Sequence, residues 1–375
     1  GETTLLGQMP DWNPVEMIGR APRALAVSLY QTLITDHAWS SARESMGYKV
    51  PTGQPLMVTL AGQPFIDTRL SFHSYLPNEI SPTIAEKVVN HWLEHLKASP
   101  ELHDKVEFKV AITTFSFDID NKLEQLIGDV LTDSEKEAFK QAHLKQTRKL
   151  VKGEGNGSLT EALDNIKTLS LRQDKQNSSE LPPNILSLFT IVSDSVQYGT
   201  VPFSILARHG FIAKTILLSL NHLDIITKDE VHQFQASIQT VASDLVGDMD
   251  SLQLGELTNT EFMLRYGHLR PGTYDIMSHR YDQMSEVSSG SGSVLRKQLD
   301  KIEPFQFSQM QQKQINKLLV ENGFNGFNAD DLLNYMIEAT IGREYGKFVF
   351  TRSVSDMLEL IANFAEENGL SRDEI

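Results

Sequence analysis

The chain has 375 residues, a formal charge of −15 and no cysteine. That length allows one large domain or two ordinary ones with a substantial core. The absence of cysteine excludes disulfides, thiolate metal sites and cysteine nucleophiles, and fits a cytoplasmic compartment. The acidic balance opposes binding to a nucleic-acid backbone. No uninterrupted apolar run reaches the roughly 20 residues of a membrane span; the nearest, residues 211–220, is broken by Lys214. Neither nucleic acid nor a membrane is therefore an expected partner, and the opening Gly1-Glu2 carries no basic-plus-apolar leader of a signal peptide.

Helix starts recur along the chain. Asn13-Pro14 and Ser81-Pro82 pair a capping side chain with proline at the first helical position. Thr132 with Glu135, Ser158 with Glu161, Thr227 with Glu230, and Thr258 with Glu261 have the spacing of capping boxes, and Asn328 with Asp331 opens another helix. Long helices are expected near 22–45, 83–98, 133–150, 159–172, 184–219, 228–247, 305–322 and 353–367.

Strand signals are confined to the first third. Residues 56–60 and 64–72 flank Ala61-Gly62-Gln63, and residues 106–112 alternate apolar and polar. The expected class is α+β, predominantly helical, with a small antiparallel sheet inserted in the N-terminal third. The Gly153-Glu-Gly-Asn-Gly-Ser158 run is expected as a flexible connector, dividing 1–150 from 151–375 unless the two form one continuous domain. The Ser288-Ser-Gly-Ser-Gly-Ser293 run is expected as a low-complexity hinge.

His91, Glu94 and His95 have the H-x-x-E-H spacing of inverted zinc peptidases. Both histidines, however, fall beside the apolar stripe of Ile84, Val88, Val89, Trp92 and Leu96. No third ligand follows at a suitable spacing, so a solvated helix flank is expected and no metal site is assigned. Asp118 and Asp120 are read as a turn rather than a metal pair. The glycine run lacks the phosphate-loop lysine.

The densest chemistry lies in residues 266–282. Thr258 should cap a helix through Tyr266, with Gly267 as a left-handed C-cap and Pro271-Gly272 at the centre of a type II turn. That excursion would present His268, Arg270 and Tyr274, near Asp275, Arg280, Tyr281 and Asp282. Guanidinium forks match carboxylate and phosphate oxygens. The segment reads either as a site for a small anionic ligand or as a buried brace in which Arg270 and Arg280 pair with Asp275 and Asp282.

The string Tyr266-Gly-His-Leu-Arg-Pro-Gly-Thr-Tyr-Asp-Ile276, followed by Arg280-Tyr-Asp282, resembles the central region of phosphotransferases of the phosphoenolpyruvate synthase and pyruvate, phosphate dikinase kind. So do Asp11-Trp-Asn-Pro-Val-Glu-Met-Ile-Gly19, Tyr198-Gly-Thr-Val-Pro-Phe203 with Ala207-Arg-His209, and the stretch from Arg343-Glu-Tyr to Thr351-Arg352. A more distant similarity is to rifamycin-inactivating phosphotransferases. Gly272, Asp275, Ile276 and Arg280 match their string, which differs at Thr273 and in the placement of Arg270.

The resemblance implies a machine in which an ATP-grasp domain, with ATP and Mg²⁺, phosphorylates a histidine on a mobile domain that serves a separate acceptor site. This chain would be the central, substrate-side piece, inactive alone and without a cofactor of its own. Its partners would be the ATP-grasp and phosphohistidine domains of the same polypeptide and a small anionic or hydroxylated substrate. In that role Arg270 and Arg280 would hold anionic oxygens. His268 would donate a hydrogen bond or assist proton transfer, Asp275 would orient an arginine, and Tyr266, Tyr274 and Tyr281 would wall the pocket. The alternatives are a non-catalytic interaction module with a structural Arg/Asp cluster, and a zinc hydrolase using His91, Glu94 and His95.

Overall fold

Helix makes up 67% of the structure, with a small three-stranded antiparallel sheet near the N-terminus, the α+β class expected. The computed structural model describes residues 3–7, 13–51, 53–177, 184–284 and 303–375; the 288–293 run and Asp11-Trp12 lie outside them.

Strands β1 (Leu6–Gly7), β2 (Met57–Leu60) and β3 (Gln63–Asp67) lie in the order β1-β3-β2, with Met57 opposite Ile66 and Leu6 opposite Asp67. Ala61 and Gly62 both have positive φ, 50° and 76°, as a two-residue hairpin turn between twisted strands requires. The third strand ends earlier than the alternation suggested. The Asp67 side chain accepts from Leu70 N at 3.1 Å and caps a helix over Thr68–His73.

The strand expected at 106–112 is also absent. Val106–Lys109 is a helical turn. Val106 and Val110, four residues apart, both enter the core, and the intervening Glu107 is buried as the ion-pair partner of buried Arg208. A carboxylate in an alternating pattern reads as the solvent face. Here its counter-charge lies on a distant helix.

The local capping signals hold. Thr132 and Glu135 cap α2 (Asp133–Val151), which follows α1 (Pro82–Ala98), itself capped by Ser81. Thr227 and Glu230 open α5 (Lys228–Ser237). The helix expected at 228–247 is interrupted after Ser237, and a separate α6 (Val241–Gln253) starts at Thr240, whose amide donates to Ser243 Oγ at 2.7 Å. Helix α8 (Gln309–Glu321) is followed by α9 (Ala329–Glu367), opened by Asn328 accepting from the amides of Asp330 and Asp331. Most of α9 lies ahead of the 353–367 span expected.

The glycine run before α3 (Leu159–Asn177) is exposed over residues 153–156 and becomes seated at its end. Gly157 has φ +75°, and a Cβ there would stand 2.8 Å from Met46 Cγ. Its carbonyl pairs with His209 Nε2 at 2.9 Å, while His209 Nδ1 meets the Tyr335 hydroxyl at 3.0 Å.

One helix, α4 (Ile185–His222), contains a window long and apolar enough to cross a membrane by length and composition, which counting uninterrupted runs had missed. In this fold 83% of that window is buried, so α4 is the central core helix. It passes Pro202 without breaking. Proline offers no N–H and crowds the carbonyl four residues back, and the wider π-turn at Ser195–Thr200 accommodates it. The long α9 packs along α4, close enough that a Cβ on Gly346 would lie 2.9 Å from Leu206. A continuous buried cluster runs from Ile18 to Ala362, drawing on both sides of residue 150.

Candidate functional site

Helix α7 (Asn259–Tyr266) delivers the chain to residues 266–282. Thr258 Oγ1 accepts from Glu261 N, and the Glu261 carboxylate accepts from Thr258 N at 2.9 Å, so the box seen in the sequence is closed. Gly267 is not left-handed; its φ is −55°. Glycine stands there for room instead. A Cβ would lie 2.4 Å from Met263 O and 3.1 Å from Asp282 Cβ, because the returning chain crosses at that point. Asp282 N donates to Gly267 O at 3.1 Å and Tyr281 N to Leu269 O at 3.0 Å, closing the neck of a loop.

Inside the loop the expected type II turn is absent, since Gly272 does not have positive φ. The bend is organised by Asp275, whose carboxylate accepts from Met277 N at 2.9 Å and whose carbonyl accepts from Ser278 N at 3.0 Å. Asp275 does help to hold an arginine, but through its carbonyl rather than its carboxylate.

That arginine is Arg270. Its Nε donates to Ser355 Oγ at 3.0 Å, one terminal nitrogen to the carbonyls of Asp275 (3.1 Å) and Ser278, and the other to Ser355 O (3.4 Å) and Glu359 Oε1 (2.6 Å). A guanidinium has five N–H donors, and all five are engaged. Glu359 also accepts from Arg372 and from Gln283. Burial alone would raise the Glu359 pKa, but those hydrogen bonds and the charges of Arg372 and Arg270 bring it down to about 2. Arg270 is thus the hub of a buried brace, with no donor left for a ligand.

The tyrosines divide likewise. The Tyr266 hydroxyl donates to Asp248 Oδ2 at 2.9 Å. Tyr274 donates its amide to Met17 O at 2.7 Å and lines a 20 Å³ apolar gap. The Tyr281 ring rests 6.5 Å from that of Phe262. None of the three lines the larger cavity.

That cavity, about 460 Å³, is bounded by Asn259, Thr260, Met263, Leu264, His268, Arg280, Asp282 and Arg352. Of the residues proposed from sequence it receives His268 and Arg280. Arg280 pairs with Asp282 and with Asp356, each at 2.8 Å, while its Nε is buried without a protein partner. His268 packs edge-on against Phe348 at 4.9 Å, and its Nε2 is likewise buried without a protein partner. Burial, then the charges of Arg352 and Arg280, push the His268 pKa down to about 3, so the imidazole is neutral near pH 7. Arg352, to which the sequence assigned no role, reaches the cavity from α9 and pairs with Asp174 at 3.0 Å.

The partners that sequence reasoning missed lie on one helical stripe of α9, where Arg352, Asp356 and Glu359 recur at four- and three-residue spacing. Elsewhere, His91 is half-buried on α1 and Glu94 is exposed, 3.8 Å from Lys97. Among the described residues no group of three or more His, Asp or Glu side chains is placed to hold a metal ion. No protein family, curated protein or solved structure matches this chain.

Proposed function

We propose that this chain is the central, substrate-side module of an ATP-dependent phosphotransferase resembling phosphoenolpyruvate synthase, and that its acceptor binds in the cavity between α7 and α9. A phosphohistidine carrier charged by an ATP-grasp domain, with ATP and Mg²⁺, would bring the phosphoryl group. The observation that carries this reading is a convergence. His268 and Arg280 belong to one family-like string and Arg352 to another some 70 residues on, yet all three line one cavity of ligand size. In this role Arg280 and Arg352 orient the acceptor, and neutral His268 hydrogen-bonds to it or takes its proton.

Arg270 has a different part, that of the structural brace. Its saturation is what a non-catalytic interaction module, the second reading, would also show. Calorimetric titration with phosphoenolpyruvate, pyruvate and larger hydroxylated compounds separates the two. Saturable binding that Arg280→Ala abolishes supports the substrate-side module. Heat traces indistinguishable from buffer for every compound would leave the interaction module.

A further inference from the structure

Of the ionised groups that line the cavity, two are guanidiniums, Arg280 and Arg352, and one is a carboxylate, Asp282. A wall with a positive balance runs against the composition of a chain charged −15. The two arginines are not equivalent. Arg280 gives one terminal nitrogen to Asp356 and the other to Asp282, and its Nε is sealed from the open space. Arg352 gives only Nη1, to Asp174 at 3.0 Å. Its Nε and Nη2 have no partner among the described residues and are not among the sealed atoms, on a side chain 21% exposed.

Those two nitrogens form one edge of the guanidinium, and their parallel N–H bonds match two oxygens of a carboxylate or phosphate. Asp174, with its side chain 62% exposed, answers Arg352 from the solvent side of the pair and does not line the cavity. So exposed a pair is weak and leaves most of the cationic pull in place. The first two residues of α7, Asn259 and Thr260, also line the cavity. Amides at a helix start have no intrahelical acceptor, and the peptide dipoles there favour negative charge. The rest of the wall is apolar, formed by Met263 and by Leu264, which is 77% exposed.

We infer that the cavity holds an oxyanion, a carboxylate or a phosphate monoester, carried on an apolar body. Its oxygens accept from Nε and Nη2 of Arg352, and its body rests on Met263 and Leu264. Arg280 adds charge through nitrogens already paired and makes no contact through Nε. A neutral hydroxyl would offer one oxygen to two parallel donors and no charge. The inference rests on the cavity being the acceptor site proposed above, and names the group by which that acceptor is held.

The test titrates benzoate, phenyl phosphate, inorganic phosphate and benzyl alcohol, following the methyl signal of Met263 in the cavity wall, which Met263→Leu assigns. Benzoate, phenyl phosphate or both should shift that signal saturably, at least about tenfold more tightly than benzyl alcohol, and whichever binds more tightly names the oxyanion. Inorganic phosphate, lacking the body, should be weaker than phenyl phosphate by about tenfold. Raising salt from about 50 mM to about 500 mM should weaken the oxyanions. Arg352→Gln should weaken them at least about tenfold. Asp174→Asn, at an exposed side chain, removes the competing carboxylate and should tighten them about two- to threefold with an unchanged Tm. Benzyl alcohol binding as tightly as the oxyanions overturns the inference while leaving the cavity as a ligand site. So does oxyanion binding that neither Arg352→Gln nor Asp174→Asn alters. If none of the compounds moves the Met263 signal, both readings fall together.

Discussion

Replacing Arg270 by alanine isolates the brace from the cavity. The substitution strips a hydrogen bond from the carbonyls of Asp275, Ser278 and Ser355, all gathered around a side chain that is 0% exposed. An acceptor left without its partner costs about 1 kcal/mol or more. The usual penalty of about 3–5 kcal/mol for breaking a buried ion pair does not apply in full, because Glu359 keeps Arg372 and Gln283. A loss of about 3–4 kcal/mol follows. With an unfolding entropy of about 2.1 cal/mol/K per residue over 375 residues, that corresponds to a Tm lowered by about 4–5 °C. Arg270→Lys, which keeps the charge near Glu359 but not the fork, should lose about half as much. Differential scanning calorimetry is the assay, beside a ligand titration at about 15–20 °C, well below the transition and near the temperature of greatest stability. An alanine variant melting within about 1 °C of wild type yet unable to bind ligand would refute the reasoning, because Arg270 would then act on the ligand and not on the fold.

Gly267→Ala should destabilise by about 1–3 kcal/mol in urea unfolding, because its Cβ would press on Met263 O and Asp282 at the neck of the loop. Thr258→Ala should lose about 1 kcal/mol by opening the capping box of α7, read as earlier amide exchange in that helix. Burial holds the pKa of His143 and His268 to about 3 and of His209 to about 4, against 6.5 unfolded. The unfolded chain therefore binds these protons first as pH falls, so their contribution is full above pH 6.5 and is lost toward pH 4. The slope approaches about 1.4 kcal/mol per pH unit for each residue. His143→Phe, at a site where neither ring nitrogen has a protein partner, should flatten urea midpoints between pH 6 and 4.5 by about a third of that dependence. Glu359→Gln turns an amide N–H toward Arg372, and combined with Arg270→Ala it should cost at least about 1 kcal/mol less than the two changes separately, a shortfall that strictly additive denaturation midpoints would contradict.

Signals that act within a few residues were legible in the sequence. The caps at Asn13, Ser81, Thr132, Thr227, Thr258 and Asn328 each join a side chain to an amide two or three positions on. The failures share the opposite property. Glu107 reads as a surface residue until Arg208, 101 residues away, is brought to it. Gly267 suggests a helix stop until Asp282 crosses against it. The acid expected to hold Arg270 was sought at Asp275, inside the segment, whereas Glu359 lies 89 residues on. Residues 266–282 could be recognised as unusual, but the sequence could not show which arginine was spent.

The arrangement along α9 explains how one short loop serves both ends. At Glu359 the stripe anchors Arg270 and Arg372. Nearly one turn earlier, at Asp356, it steadies Arg280 while leaving the Nε of that side chain unengaged. One turn earlier again, at Arg352, it enters the cavity wall. A loop tied only at its neck would let His268 and Arg280 wander by more than a hydrogen bond tolerates, since a polar pair weakens steeply once its alignment is lost. Fixing the far side of the loop to the same rigid helix that supplies Arg352 makes the spacing across the cavity a property of α9.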